Sequence, residues 1–297
     1  MVICVIFIYD LLTGRLADMA RITKADMKKL EAMQYVANDP KRQNEGRWIT
    51  MSNALTRAGH TLTLAEKRIV MLSVSKLNPL KPTPLKPPCT KITATEYAET
   101  FGVDMDTAYD QLQSAAKHLY NRSIMFYEPA HKRNGKPITP PRTVMRWVGQ
   151  IEYHQGEGWV ELHWWPALMM HLMGIKESFT EYQLKQVTAL RSIHSWRLLE
   201  LLTRFKSTGW AEYTIEDFAV SMEATEKQRA NFNNIKRRII EPAVKELIEK
   251  DGWQIEWHPI KGGRKVKAIR FEFNRSNGAG LPNPDRDPNT VDMFDEF

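Results

Sequence analysis

The sequence predicts an α+β chain of tandem winged-helix domains, each a helix-turn-helix closed by a β-hairpin wing. Three observations predict it. The order helix, strand, helix, helix, hairpin occurs twice, a duplication of architecture rather than of sequence. Ala98 and Gly102 stand four apart just before a helix, and Ala219 fills the equivalent slot in the second half. A small side chain there lets two helices approach, and glycine takes the left-handed turn between them, although any helical hairpin with a glycine cap would share the spacing. Finally, each half carries a cationic hairpin, at 131–136 and at 261–267. An apolar fraction of 42% with 10% aromatic residues is ample for packed cores.

The elements follow in order. Residues 1–47 read as an N-terminal arm, polar and weakly helical over 20–46. The apolar start, Met1 to Leu12, has no preceding Lys or Arg, is broken by Asp10 and is too short to span a bilayer. It is either a weak anchor or an over-long start whose true initiator is Met19 or Met27; the second reading is preferred, because nothing downstream looks secreted or membrane-bound. A first domain is placed at 48–174. It holds a helix at 62–77 capped by Thr63, a proline-rich loop over 79–88, a strand at 91–93, and helices at 95–101 and 105–119. Strands at 123–127 and 143–153 then flank the basic turn around Asn134-Gly135, a strand at 159–164 follows, and a short helix closes the domain at 166–173.

A second domain is placed at 175–275. It is read as helical over 180–205 with a break near 190–192, then a strand at 212–214, a helix at 215–222, a longer helix at 230–250, and strands at 253–260 and 266–273. Residues 276–297 read as a disordered acidic tail. The tail holds Asp285, Asp287, Asp292, Asp295 and Glu296 against Arg286, a net of −4, so a whole-chain charge of +7 leaves the first 275 residues at +11. A basic body of that size fits an anionic partner, nucleic acid or membrane.

The residues of the second half favour duplex DNA. On the helix at 230–250, Phe232, Ile235, Ile239 and Ala243 share one face at 100° steps, with Asn234, Arg237 and Arg238 opposite and Lys236 at the boundary. Asn231 stands at its start. Asn reads adenine and Arg reads guanine in the major groove. The hairpin that follows holds Lys261, Arg264, Lys265, Lys267 and Arg270 without an acid between them, and alternation places Lys265 and Lys267 on one face, suited to phosphates. The first domain offers Thr107, Gln111, Ser114 and Lys117 on its second helix, with Asp110 among them, and Lys132 and Arg133 at its wing. That mixed face suits phosphate contact or a dimer interface. Pro242 should bend or loosen the long helix.

Other classes lack their motifs. The chain has no GxxxxGK[ST] phosphate loop, no HExxH and no nucleophile elbow. His163 lies in Leu-His-Trp without the second His that metal-dependent nicking proteins need. The two cysteines, Cys4 and Cys89, form no CxxC and no ligand cluster in sequence, which fits a reducing, cytoplasmic compartment. No enzyme activity, cofactor or metal is expected.

At this point the chain resembles the plasmid replication initiators of the two-winged-helix, repeat-binding type. The residues are Phe232-Asn-Asn-Ile-Lys-Arg-Arg-Ile-Ile-Glu-Pro-Ala-Val-Lys-Glu-Leu247 with Ile255-Glu-Trp-His-Pro-Ile-Lys-Gly-Gly-Arg-Lys-Val-Lys-Ala-Ile-Arg-Phe-Glu-Phe273. In the first half they are Asn53-Ala-Leu-Thr-Arg-Ala, Leu64-Ala-Glu-Lys-Arg-Ile-Val-Met71, and the stretch 92–126. The resemblance covers about residues 48–275. It implies monomers that bind direct repeats (iterons) at a bacterial plasmid origin and dimers that repress their own promoter at an inverted repeat. It also implies opening of adjacent DNA, recruitment of the host initiator and replicative helicase, copy control, and no catalysis. Asn234, Lys236, Arg237 and Arg238 would be groove readers, and Lys265 and Lys267 wing contacts. The alternative is a winged-helix repressor with no initiation role. Val291-Asp-Met-Phe294 faintly resembles sliding-clamp peptides but lacks their Gln, so an acidic solubilising tail is the simpler reading.

Overall fold

The computed structural model describes residues 47–275, apart from 85–86, 128–131, 134–135, 138–141, 155 and 176–177. The expected arm up to residue 46 and the acidic tail with its clamp-like peptide lie outside the described residues.

Side-chain caps set where each helix of the first half begins. β1 (Trp48–Ser52) passes directly into α1 (Asn53–Arg57) because the Ser52 hydroxyl accepts the Leu55 N–H. Thr63 and Glu66 form a reciprocal capping box at the start of α2 (Leu64–Val74). β2 (Cys89–Thr93) leads into α3 (Ala94–Phe101), capped by Thr93 and ended by Gly102 at φ +59°. There the Val103 N–H closes on the Ala98 carbonyl, as the spacing predicts. Asp104 then caps α4 (Met105–His118).

The chain next makes β3 (Ser123–Tyr127), β4 (Lys132–Arg133), β5 (Lys136–Pro137), β6 (Arg142–Arg146), β7 (Val148–His154) and β8 (Trp159–Trp164). The strand expected over 143–153 is two strands. Trp147, fully buried, interrupts them, so β6 pairs with β3 while β7 joins an antiparallel sheet ordered β2-β8-β7. Lys132 and Arg133 therefore sit on a separate hairpin arm, where β4 pairs with β5. The wing of the first helix-turn-helix is instead the β7–β8 hairpin, which carries no comparable basic run.

The expected helix across 180–190 is replaced by β9 (Phe179–Gln183), antiparallel to β1, and by a short α5 (Lys185–Thr188). Thr180 and Tyr182 alternate inward there, a period-two pattern that tertiary pairing enforces. The division expected after 174 thus does not coincide with a break in the fold, since β9 completes a sheet with the first strand. The expected interruption near 190–192 is present, and Ser192 caps α6 (Ile193–Thr203).

The second half repeats the plan. β10 (Trp210–Thr214) enters α7 (Ile215–Ser221) through a Thr214 cap. After α8 (Glu226–Arg229), α9 (Phe232–Ile235) runs into a π-helical turn, Lys236–Ile240, and then into α10 (Glu241–Asp251). β11 (Trp253–Gly262) and β12 (Lys265–Arg275) complete a sheet ordered β10-β12-β11. First, third, second is the same strand order as β2-β8-β7, so each half is a winged helix. α6 packs against α10 and β9, and Leu72, Leu162, Trp196, Leu199, Phe218 and Phe271 belong to one continuous core.

That core contains charges. Lys67 Nζ lies 2.7 Å from Glu200, both side chains fully buried. Tyr182 donates its hydroxyl to Glu200 at 2.7 Å and accepts Trp196 Nε1 at 2.9 Å. Beside them Arg197 ties the halves together. It donates to the Ala58 carbonyl at 2.7 Å, to the Ser221 carbonyl at 2.8 Å and to His60 Nδ1 at 3.1 Å. Glu223, at φ +53°, takes the place that Gly102 holds in the first helix-turn-helix. This left-handed conformation costs a non-glycine residue about 1–3 kcal/mol. The Glu223 carboxylate accepts the N–H groups of His60 at 2.6 Å and Thr61 at 3.0 Å, so the strained turn is held against the loop after α1.

Burial, with Arg197 and Lys67 adding repulsion, holds His60 well below its ordinary value, and burial first also lowers His194 and His171. Neutral His60 donates from Nε2 to the Leu55 carbonyl at 2.8 Å, which leaves Nδ1 to accept from Arg197. On unfolding below about pH 6.5 these rings take up protons that the folded state refuses, so stability falls as pH drops from that value toward the lowered native values. Urea denaturation is expected to show a lower midpoint at about pH 5.5 than at about pH 7.5, before the carboxylates titrate. An unchanged midpoint would contradict the neutral assignment.

Candidate nucleic-acid interface

The second helix-turn-helix is built from local capping. Thr225 and Gln228 form a capping box at the start of α8, and Arg229 donates to the Ala224 carbonyl at 2.7 Å, bracing the turn from below. Asn231, extended at φ −156°, accepts the Asn234 N–H at 2.9 Å and so starts α9. Asn234 in turn donates Nδ2 to the Lys227 carbonyl at 2.8 Å. The two asparagines expected to face a groove are therefore engaged in joining α8 to α9. Lys236, half-buried, lies 3.6 Å from Glu241 and over the Trp257 ring at 5.8 Å. Its boundary position on the helix gives it these neighbours.

Arg237 and Arg238 differ from these three. Both are exposed and, among the described residues, neither is in an ion pair or hydrogen bond. They lie within the π turn, just ahead of Pro242. A proline has no N–H and its ring crowds the carbonyl four residues back, here that of Arg238. The wider π turn accommodates this within one helical run. Ile235, Ile239, Ile240 and Ala243 are buried beneath it, so the arginines stand on the opposite surface.

The wing carries a second group of exposed cations. Lys261, Arg264, Lys265 and Lys267 are all exposed and have no acidic partner among the described residues. Gly263, at φ +69°, occupies the first of the two turn positions between β11 and β12, as a tight hairpin requires. The alternation expected of Lys265 and Lys267 is interrupted. Ile260 pairs with Ala268 and Lys261 with Val266, so Lys267 is the extra residue of a β-bulge. Its aliphatic stem lies across Gly262, where a Cβ would come within 2.2 Å of it. Arg270 is not part of the unpaired group. It lies 3.0 Å from Glu272 and over Trp210 at 4.5 Å.

The first unit offers less. Thr107 gives both its N–H, at 2.8 Å, and its hydroxyl, at 2.7 Å, to Asp104, whose carboxyl these bonds hold below the usual range. Gln111 accepts the Tyr97 hydroxyl between α3 and α4. Both are engaged in capping or packing within the domain. Ser114 and Lys117 are exposed on α4, near Asp110.

Two groups escaped the sequence. The Lys67–Glu200 and Arg197–His60–Glu223 contacts were marked only by charges inside apolar runs, as in Trp196-Arg-Leu-Leu-Glu-Leu-Leu202. The β2–β8 pairing also brings Cys89 beside Glu161 and His163, a grouping that spacing along the sequence does not reveal. Among the described residues, no helix is long and apolar enough to cross a membrane.

Residues 48–203 match the family described as Initiator Replication protein, WH1, and residues 214–273 match Initiator Rep protein, WH2. The crystal structure of the Pi initiator protein in complex with iteron DNA superposes with a TM-score of 0.66 at 18% identity, covering 79% of this chain and all of that one. An uncharacterized 27.6 kDa protein of Escherichia coli is 26% identical over 211 residues, 68% of this chain and 85% of the relative.

Proposed function

Because this chain belongs to the initiator replication protein family, we propose that it is a plasmid replication initiator that binds iterons as duplex DNA through its second winged helix. The observation that carries the reading is the set of exposed cations in that unit with no partner among the described residues. Arg237 and Arg238 lie on the helix, and Lys261, Arg264, Lys265 and Lys267 on the wing that follows it. Helix cations suit guanine edges in the major groove, and wing cations suit the adjacent backbone. Asn231 and Asn234 then support the helix start rather than read bases. Dimers would bind an inverted repeat at the gene's own promoter, and bound monomers would recruit the host initiator and replicative helicase. The protein would act in the bacterial cytoplasm without catalysing any chemistry.

A plasmid carrying only the DNA that flanks this gene tests the reading. It is expected to replicate when the chain is supplied in trans and to be lost without it. Repression of the promoter with no replication would identify a repressor instead.

Within this reading Lys265→Ala is expected to weaken specific and non-specific binding alike. The slope of log K against log salt should fall by about one unit. A salt series measured by fluorescence anisotropy checks this, and an unchanged slope removes Lys265 from the phosphate contacts.

A further inference from the structure

We propose that the outer face of the first winged helix's sheet is a binding site for one zinc-class divalent ion, with Cys89, His163, Glu161 and Glu152 as ligands. β8 is the central strand, and its inward residues Val160, Leu162 and Trp164 are buried. Glu161 and His163 therefore stand together on the other face. The register sets Cys89 of β2 directly across from His163 and Glu152 of β7 directly across from Glu161. Three strands thus place four donor side chains on one face, with Glu152 reaching the group through its contact with His163.

The spacing fits an ion. His163 Nε2 lies 3.1 Å from a Glu161 carboxylate oxygen and 3.3 Å from one of Glu152. Ligand atoms of Cys89, Glu161 and His163 all lie within 4.8 Å of one another. Tetrahedral zinc with ordinary bond lengths places its ligand atoms about 3.3–3.7 Å apart, close to the separations of His163 from the two carboxylates. His163 Nε2 is shielded from solvent yet makes no hydrogen bond of sound geometry, although two carboxylates face it. Two carboxylates converge on this nitrogen, and a cation bound between the three groups would satisfy all of them. Gln150 donates to Glu152 at 2.7 Å and orients that carboxylate, as partners of metal ligands do. Lys91, opposite Glu161, lies over the Trp159 ring at 3.6 Å.

The donor set decides the class of ion. Thiolate and imidazole favour zinc and its neighbours over magnesium or calcium, which prefer oxygen alone. Four protein ligands close the coordination shell, so the ion would be structural and would pin β2, β8 and β7 together. No motif announces it, because the ligands come from three strands far apart in sequence.

Cobalt(II) titration of the metal-stripped full-length protein is the test, since a cobalt–thiolate bond gives a charge-transfer band in the near ultraviolet. A saturable band is expected that zinc displaces and excess magnesium does not. Cys89→Ser should abolish the band, and Glu161→Gln should weaken binding by about tenfold or more. Cys4→Ser, which alters the only other cysteine, should leave it intact. Zinc should raise the melting temperature of the parent and of Cys4→Ser but not of Cys89→Ser, with circular dichroism checking that each variant folds. Absence of a band in the parent, persistence in Cys89→Ser, or loss in Cys4→Ser would overturn the proposal.

Discussion

Glu200→Ala is expected to destabilise the protein by about 3–5 kcal/mol, the usual cost of leaving one member of a buried ion pair behind. Lys67 is fully buried, and burial already pulls its ammonium down to about 8 while Glu200 opposes that pull. Without Glu200 the cation loses its 2.7 Å partner, and the Tyr182 hydroxyl loses its acceptor in the same place. Neither group reaches water. The double variant Lys67→Met/Glu200→Leu should recover much of the loss, because two apolar side chains leave no charge to satisfy. Urea denaturation of the parent, the single and the double variant measures both effects. A single-variant loss below about 1 kcal/mol, the range of exposed pairs, would contradict the burial of this contact.

The second large effect concerns DNA. Arg238→Ala is expected to weaken binding to the specific repeat by about 1–3 kcal/mol and binding to scrambled duplex far less. The reasoning is geometric. Arg238 is exposed on the helix surface opposite Ile235 and Ile239, it has no partner among the described residues, and it precedes the proline that shapes the turn. A bidentate contact to guanine would be lost as a unit, whereas a phosphate contact would be lost equally on any sequence. Competition binding with specific and scrambled duplexes separates the two. Equal losses on both would make Arg238 a backbone contact.

Much of the fold was legible because its signals are local. Thr63 caps its helix where the sequence places it, Gly102 takes the left-handed turn, and the Gly262-Gly263 hairpin forms. What was not legible depends on distant partners. Residues 179–183 hold apolar and polar residues that suit a helix or a strand, and only pairing with β1 decides for a strand. Trp147 divides one apparent strand into two because the two segments join different sheets. The candidate site divides along the same line. Wing lysines read as exposed from their charge density and are exposed. Asn231, Asn234, Thr107 and Gln111 look like recognition residues in a list of polar side chains, yet each satisfies a backbone or side-chain group nearby. Short polar residues at helix starts compete for exactly such local bonds, and a helical wheel does not show them.

The central claim is that this chain recognises repeated duplex sequence through its second winged helix. A mobility-shift titration tests it most directly, using the duplex that flanks the gene against scrambled duplex and single strand across a salt series. The account predicts a ladder of discrete complexes on the flanking duplex that persists at physiological salt. Equal binding to all three, lost together as salt rises, would contradict it.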